Sequence, residues 1–492
     1  DWKTASAKAN LVLTALQYNG YDYKDLTLNA TMKEGALNGE LRSANKELDM
    51  DMKFHLVAEK DGYKAKLESD IRNVDLKGLH FMTEDLAFSL GLNLTGVLNA
   101  DSTSSLNVDF SNIILKDTGT RQLGDLNLSF AGERGRTRLG VDAGDLSIKF
   151  NGEGNGYLLA DQFAKAGALL SEQLAKRDFN MEQLDELLPN FRLTITAVQK
   201  NILNSYLKNN GMRFKRIGLD LEMGAASPFK MDVGVYGLDI EGFVMDSILM
   251  DAYGQGVALR YAVNVFGAKD QLEVLSQFTV EGFAEHDQVN VRLRERENKD
   301  GEIFNIGANI AFQDSAFSVS ISPDPLVLGY VPWQINRGNF IRIKQGEIPA
   351  ANLLLLSEDK RIRLVSEQGV NQEPESLVVD IKAIDLGHIS KVLTFIPDMS
   401  GLLGIDLQMH SKNKVIDVGG NITVNEFNYQ QERIGNLDMG IQYKLSQQTQ
   451  HDVDFTLSVD GVQALLTQGK VMTGADDQNI DLNIGIPELP LR

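Results

Sequence analysis

Apolar and polar residues alternate through most of the chain, the period of strands with one apolar face. Ala5, Ala7, Ala9, Leu11 and Leu13 open the pattern, and Leu26, Leu28, Ala30 and Met32 resume it after "NGYDY". In the clearest run Leu48, Met50, Met52, Phe54 and Leu56 share one face, while Asp49, Asp51, Lys53 and His55 share the other. Leu86, Phe88, Leu90, Leu92 and Leu94 repeat it, as do Leu126, Leu128 and Phe130, then Leu146, Ile148 and Phe150. Turn signals such as Asp61-Gly62 and Asn151-Gly152 separate the runs.

The period changes twice. Phe163, Ala166, Leu170 and Leu174 mark one helix. Met181, Leu184, Leu187 and Leu188 mark a second, with a cap at Asn180 and Gln183 and a stop at Pro189. Ile202, Leu203, Tyr206 and Leu207 mark a third, ended by Asn210-Gly211. Strands then return: Ile217 to Met223, Val257 to Val265, Val289 to Leu293, and Leu437, Met439, Ile441 and Tyr443. Between Leu377 and Met409 the chain reads strand, short helix, strand. Leu386, Ile389, Val392, Leu393 and Ile396 form the helical stripe, Asp385 caps it and Pro397 stops it. Asp398 to Gly401 is expected to turn the chain into a strand bearing Leu403, Ile405, Leu407 and Met409. Placing Pro189 on Pro397 aligns "LLPNF" with "FIPDM", a weak internal repeat. The organisation expected is a first β segment over 1–156, a helical insertion over 157–211, and a second β segment over 212–492 with a short helix near 386–396.

Composition narrows the function classes. The 492 residues are 43 % hydrophobic, enough to bury a large apolar surface. A net charge of -20 opposes binding to nucleic acid, which needs a basic surface to displace counterions, and to anionic headgroups. Cysteine is absent, which excludes disulfides and thiol chemistry, and the six histidines are too scattered to suggest a metal centre. No run of about 18 apolar residues appears, so no helical membrane span is expected. The chain starts abruptly in an apparent strand and is expected to be a fragment or a mature chain whose anchor lies elsewhere. Ten prolines in such a length suit about thirty strands, because proline cannot donate to a ladder.

Several stretches imitate chemistry. "GEGNGY", Gly152 to Tyr157, precedes a helix but lacks the Lys-Ser/Thr of a phosphate loop and reads as a turn. Asn99 to Asp109 lacks the glycine and terminal glutamate of a calcium loop. Arg292, Arg294 and Arg296 read as the wet face of one strand. No Ser-His-Asp set or carboxylate pair converges, so no catalytic residue, metal ligand or cofactor is assigned and no enzyme activity is expected.

Three features together resemble the TamB/AsmA-like bridge proteins of Gram-negative envelopes. They are the long run of one-face-apolar strands, the unit "IDLGHISKVLTFIPDMSGLLGIDLQM", and "GYVPWQINRGNFIRI" with Trp333, Asn336 and Asn339. The resemblance implies a mainly β fold, a long curved antiparallel sheet folded into an elongated groove (a β-taco) with a few short helices. It implies a periplasmic bridge, anchored to the inner membrane, that carries phospholipid acyl chains and pairs with a TamA-type outer-membrane barrel in outer-membrane protein assembly. Groove lining is then expected from Leu48, Met50, Met52, Phe54, Leu56, Leu86, Phe88, Leu90, Leu92, Leu94, Ile405, Leu407, Met409, Leu437, Met439 and Ile441. Such residues are equally the mark of an ordinary packed core. Two other classes fit the pattern: a scaffold that templates outer-membrane proteins by strand addition, and a secreted adhesive or carbohydrate-binding solenoid. The latter is disfavoured by an aromatic content of 7 %, since such surfaces use aromatic platforms.

Overall fold

The computed structural model describes residues 5–99, 103–117, 119–224, 227–267, 276–297, 301–313, 316–323, 325–345, 347–368, 374–392, 396–412, 415–446, 449–474 and 477–487. The fold is mainly β and antiparallel, with four helices among the described residues. Contacts divide it into two compact units, Asp1–Glu273 and Val274–Arg492.

In the first unit the strands run from Ser6–Leu13 to Ala258–Gly267, and most pair with the next in sequence. The exception near the start follows from a tight turn. Asn19 and Gly20 both take positive φ, 51° and 75°, and fold Leu16–Tyr18 onto Tyr21–Tyr23 as a separate two-stranded hairpin. Ser6–Leu13 therefore pairs with Leu26–Lys33, setting Ala9 opposite Ala30 and Leu11 opposite Leu28. In the second unit the meander runs from Ser276–Glu285 to Asp477–Gly485. There a small hairpin, Val327–Leu328 with Val331–Pro332, is inserted between paired strands. Gly329 and Tyr330 turn it with φ of 58° and 62°, the mirror-image geometry that suits strand twist.

All three helices expected between 157 and 211 form: α1 (Gly156–Lys176), α2 (Met181–Leu187) and α3 (Ile202–Asn209). A strand, Phe191–Ala197, passes between α2 and α3 and pairs on both sides, with Leu146–Glu153 and Arg216–Gly224. "GEGNGY" is the entry to α1, where Asn155 accepts a 2.8 Å bond from the Leu158 amide. Asn151-Gly152, expected as a turn, lies inside a strand. Gly152 is needed there for close approach: a Cβ would come within 2.9 Å of Leu159 of α1 and of Phe150.

The inward stripe of α1 also differs from the expected one. Leu159, Ala166 and Gln173 are buried, whereas Leu170 and Leu174 are 38 % and 64 % exposed. Gln173 explains the choice of face: it donates to the Asn180 carbonyl (3.1 Å) and accepts from the Asn180 amide (3.2 Å), tying α1 to the start of α2. Asn180 caps α2 as expected, accepting from the Gln183 amide at 3.2 Å. In the second unit α4 (Leu386–Val392) forms, with the Asp385 carboxylate accepting from the amides of Gly387 and His388 at 2.9 and 3.3 Å. Leu393 lies outside the described residues, and Ile396 is not helical. The turn expected over Asp398 to Gly401 is already strand from Met399. Gly401, at φ 133°, forms a bulge there and re-registers the strand against Val415–Tyr429.

One carboxylate organises the loop into α3. Asp145 follows Gly144 (φ 63°) in a two-residue turn and accepts from the amides of Val198, Gln199 and Lys200 and from the Asn201 side chain. Burial pushes its carboxyl up, but the bonds from Asn201 and the three amides outweigh it and hold the group below the ordinary aspartate value of 3.8. A depressed pKa contributes stability above the unfolded value and loses it as pH falls through the folded one. Asp145→Ala strips these donors of their acceptor and is expected to destabilise the closure of α3 by about 1–3 kcal/mol. Hydrogen exchange at the 198–200 amides should speed up at pH 7. The difference between variant and wild type should disappear once pH falls below the folded pKa of Asp145; a difference that persists there contradicts this account.

Candidate functional site

Residues directly opposite in an antiparallel pair point to the same face, so strand register shows which side chains form rows across the sheet. In the first unit one such row is free of polar residues. It runs Ala9, Ala30, Gly39, Phe54, Leu67, Leu94 and Val108. It continues through Leu128, Val141, Ile148, Ile195, Leu219, Val233, Met250 and Val263. From Phe54 onward every member is half-buried except Val108, which is buried. The opposite face is charged: Arg72 bonds Asp49, Asp51 and Asp70 at 2.5, 2.9 and 3.2 Å.

The second unit has an equivalent row: Ile335, Leu355, Ile362, Ile381, Ile405, Ile422, Met439, Leu457 and Leu465. Leu407 lies in the adjacent row between Val379 and Gly420, with Ile441 beyond Gly420. Met409 is opposite Leu377 and Val418, and Leu437 is opposite Val424 and Val459. Arg292, Arg294 and Arg296 do not make an open basic stripe. Arg294 and Arg296 meet Glu281 and Glu302 at 2.8 Å, and Arg292 donates to Asn305 at 3.0 Å.

The sixteen residues expected to line a groove share one property. Leu48, Met50, Met52, Phe54, Leu56, Leu86, Phe88, Leu90, Leu92, Leu94, Ile405, Leu407, Met409, Leu437, Met439 and Ile441 are all half-buried, neither in the closed core nor among the exposed large apolar residues. Leu86 alone of them precedes its strand, by one residue. Phe54 also lies across Gly39, where an added Cβ would meet its ring at 2.2 Å.

The helices of the first unit cover this face at the ends of the strands. Phe163 of α1 packs edge-on to Phe150 and Phe191, at 6.1 and 5.0 Å between ring centres. Met181 of α2 stands over Gly254. At the other ends of the same strands Leu203 and Leu207 of α3 close on buried Ala143, Leu146, Ala197 and Phe214. Both rims are thus closed by helix, while Ile148 and Ile195 midway between them stay half-buried.

In the second unit the two sequence motifs, some fifty residues apart, meet at one cavity of about 360 Å³. "GYVPW" contributes Gly329, Val331 and Trp333, and "IDLGHI" contributes Ile384, Asp385, His388 and Ile389. The His388 ring bonds to the Gly329 carbonyl and stands edge-on to Tyr330, so α4 straps down the hairpin. Trp333 anchors a core with Leu326, Leu353 and Leu355. The asparagines of the same motif replace missing backbone pairing. Asn339 accepts from the Ile321 amide (2.7 Å) and donates to its carbonyl (2.9 Å), while Asn336 accepts from the Leu354 amide at 2.9 Å. Strand alternation alone gave no sign of this convergence, because the hairpin that brings Trp333 to α4 interrupts it.

No protein-family model matches the chain, and no curated protein matches it in sequence.

Asp185 stands out on the helical cover. It projects from α2 towards Gly254, and its buried Oδ1 has no hydrogen-bond partner among the described residues. Burial first, and the charge of Glu182 three residues before it second, push its carboxyl above the ordinary 3.8. A carboxyl with a raised folded pKa favours folding while protonated and penalises it as pH rises through that value. Asp185→Asn should therefore raise the thermal midpoint at pH 7 and have little effect at pH 3, where the native carboxyl is already neutral. A lower midpoint at pH 7 would show that the ionised group has a partner.

Proposed function

We propose that the chain is a segment of a periplasmic bridge that carries phospholipid along its apolar face between inner and outer membranes. The observation that carries the reading is the pair of polar-free rows, nine or more strands long, most of whose side chains are half-buried, with Val108 and Leu355 the buried exceptions and Ala9 exposed at one end. An acyl chain gains about 0.8 kcal/mol for each methylene it buries. A row that offers similar burial at every strand gives similar binding at every step, so the barriers to sliding are small. The charged opposite face keeps the exterior hydrated. The TamB/AsmA-like resemblance supplies the cellular setting: inner-membrane anchoring, a TamA-type barrel as partner, and a link to outer-membrane protein assembly. The two motifs that carry the resemblance meet at one cavity, where the His388 ring bonds the Gly329 carbonyl.

Leu407→Asp tests the reading. Leu407 is flanked by Gly420, so a carboxylate there has room to hydrate if the face is accessible. The expected result is a thermal midpoint lowered by no more than about 2–4 °C, equivalent to roughly 1 kcal/mol in a unit of this size, with co-purifying phospholipid lost from native mass spectra. Collapse of the fold would instead identify a packed core, where an unpaired buried charge is not tolerated. Normal folding with lipid content unchanged would exclude this face as the path.

A further inference from the structure

The cavity under the Gly329–Tyr330 turn has a composition that an ordinary packing gap lacks. Its volume, about 360 Å³, falls in the range of small-ligand sites. Phe304, Leu328, Trp333, Ile362, Ile384 and Ile389 give it an apolar wall, and three ionisable side chains border it: Lys360, Asp385 and His388. Two of the three are committed. His388 bonds the Gly329 carbonyl, and Asp385 Oδ1 accepts from the two α4 amides. Lys360 is held more loosely. Its carboxylate neighbour, Asp359, is 3.9 Å away and its side chain is 76 % exposed, a pairing that solvent weakens. A further donor lacks a partner: the Trp333 side chain is buried, and its indole Nε1–H has no acceptor among the described residues.

We infer that this cavity seats one acyl chain of an anionic amphiphile, with the tail against the apolar wall and its carboxylate or phosphate at Lys360. The inference rests on the conduit reading, because Ile362 belongs both to the cavity wall and to the polar-free row. A chain moving along the row reaches the cavity without crossing a polar residue. The seat is a place where cargo pauses, and its strap is the contact between His388 and the hairpin.

Trp333 reports directly on the seat. The chain has two tryptophans, so a Trp2→Phe background leaves Trp333 as the sole indole. Bromine quenches tryptophan emission only at close range. The probes are oleate dibrominated on its chain, kept below its micelle concentration, and phosphatidylglycerol vesicles with the same bromines. The expected result is saturable quenching of Trp333, weakened by Ile389→Phe, which narrows the cavity, and weakened about tenfold by Lys360→Gln, the loss of one charge-assisted contact. Quenching by both probes identifies the acyl chain with any anionic head as the ligand. Quenching by only one identifies free fatty acid or phospholipid as the source. Quenching unchanged in both variants overturns the seat, since it then comes from nonspecific adsorption. If Ile389→Phe fails to fold, Lys360→Gln decides alone. Absence of quenching, with phospholipid still co-purifying with the wild-type chain, overturns the seat and leaves the conduit standing. Absence of both removes the conduit as well.

Discussion

Strand pairing in register is the constraint on which everything else depends. Because side chains alternate with period two, a slip of one residue would move a whole row to the other face. Across the strands of the first unit the register holds Phe54 against Leu67, Leu67 against Leu94, and so on to Val263, with no polar residue admitted. Where one extra residue enters between Ile71 and Val74, a bulge absorbs it and returns the apolar side chains to the same face. Backbone hydrogen bonds hold the sheet together, which frees its apolar face from the need to pack completely. Its half-burial is the physical basis of the proposed lipid path.

Among the described residues, helical cover is added at the ends of strands or where backbone pairing is broken. In the first unit α1 and α2 close one set of strand ends through Phe163 and Met181, and α3 closes the other through the buried cluster around Phe214. In the second unit the inserted hairpin displaces regular pairing. Asn336 and Asn339 supply the missing backbone partners, and α4 straps the hairpin through His388. In the second unit this cover reaches Ile335, Leu355 and Ile362 of the row, whereas in the first Ile148 and Ile195 stay half-buried between the helices.

Much of this was legible in the sequence because alternation is a local property. The face shared by Leu48 to Leu56, the Asn180 and Asp385 caps, and the three helices between 157 and 211 follow from period and capping alone. Features set by distant partners did not follow. Asn151-Gly152 has turn composition, yet Gly152 is there to admit Leu159 of α1. Leu170 and Leu174 fit a helical stripe, but the hydrogen bonds of Gln173 turn α1 to a different face. The strand Phe191–Ala197 was hidden between two helices. The cavity at Trp333 depends on a hairpin meeting a helix some fifty residues later, a contact that no local pattern encodes.

The central claim is that lipid tails lie on one face of the sheet and not the other. A photoreactive side chain walked one residue at a time from Leu48 to Leu56, in the presence of phospholipid, measures this directly. The account predicts lipid adducts at Leu48, Met50, Met52, Phe54 and Leu56 and none at Asp49, Asp51, Lys53 or His55, a period of two set by the strand. Adducts at neither set, or at both equally, would contradict it.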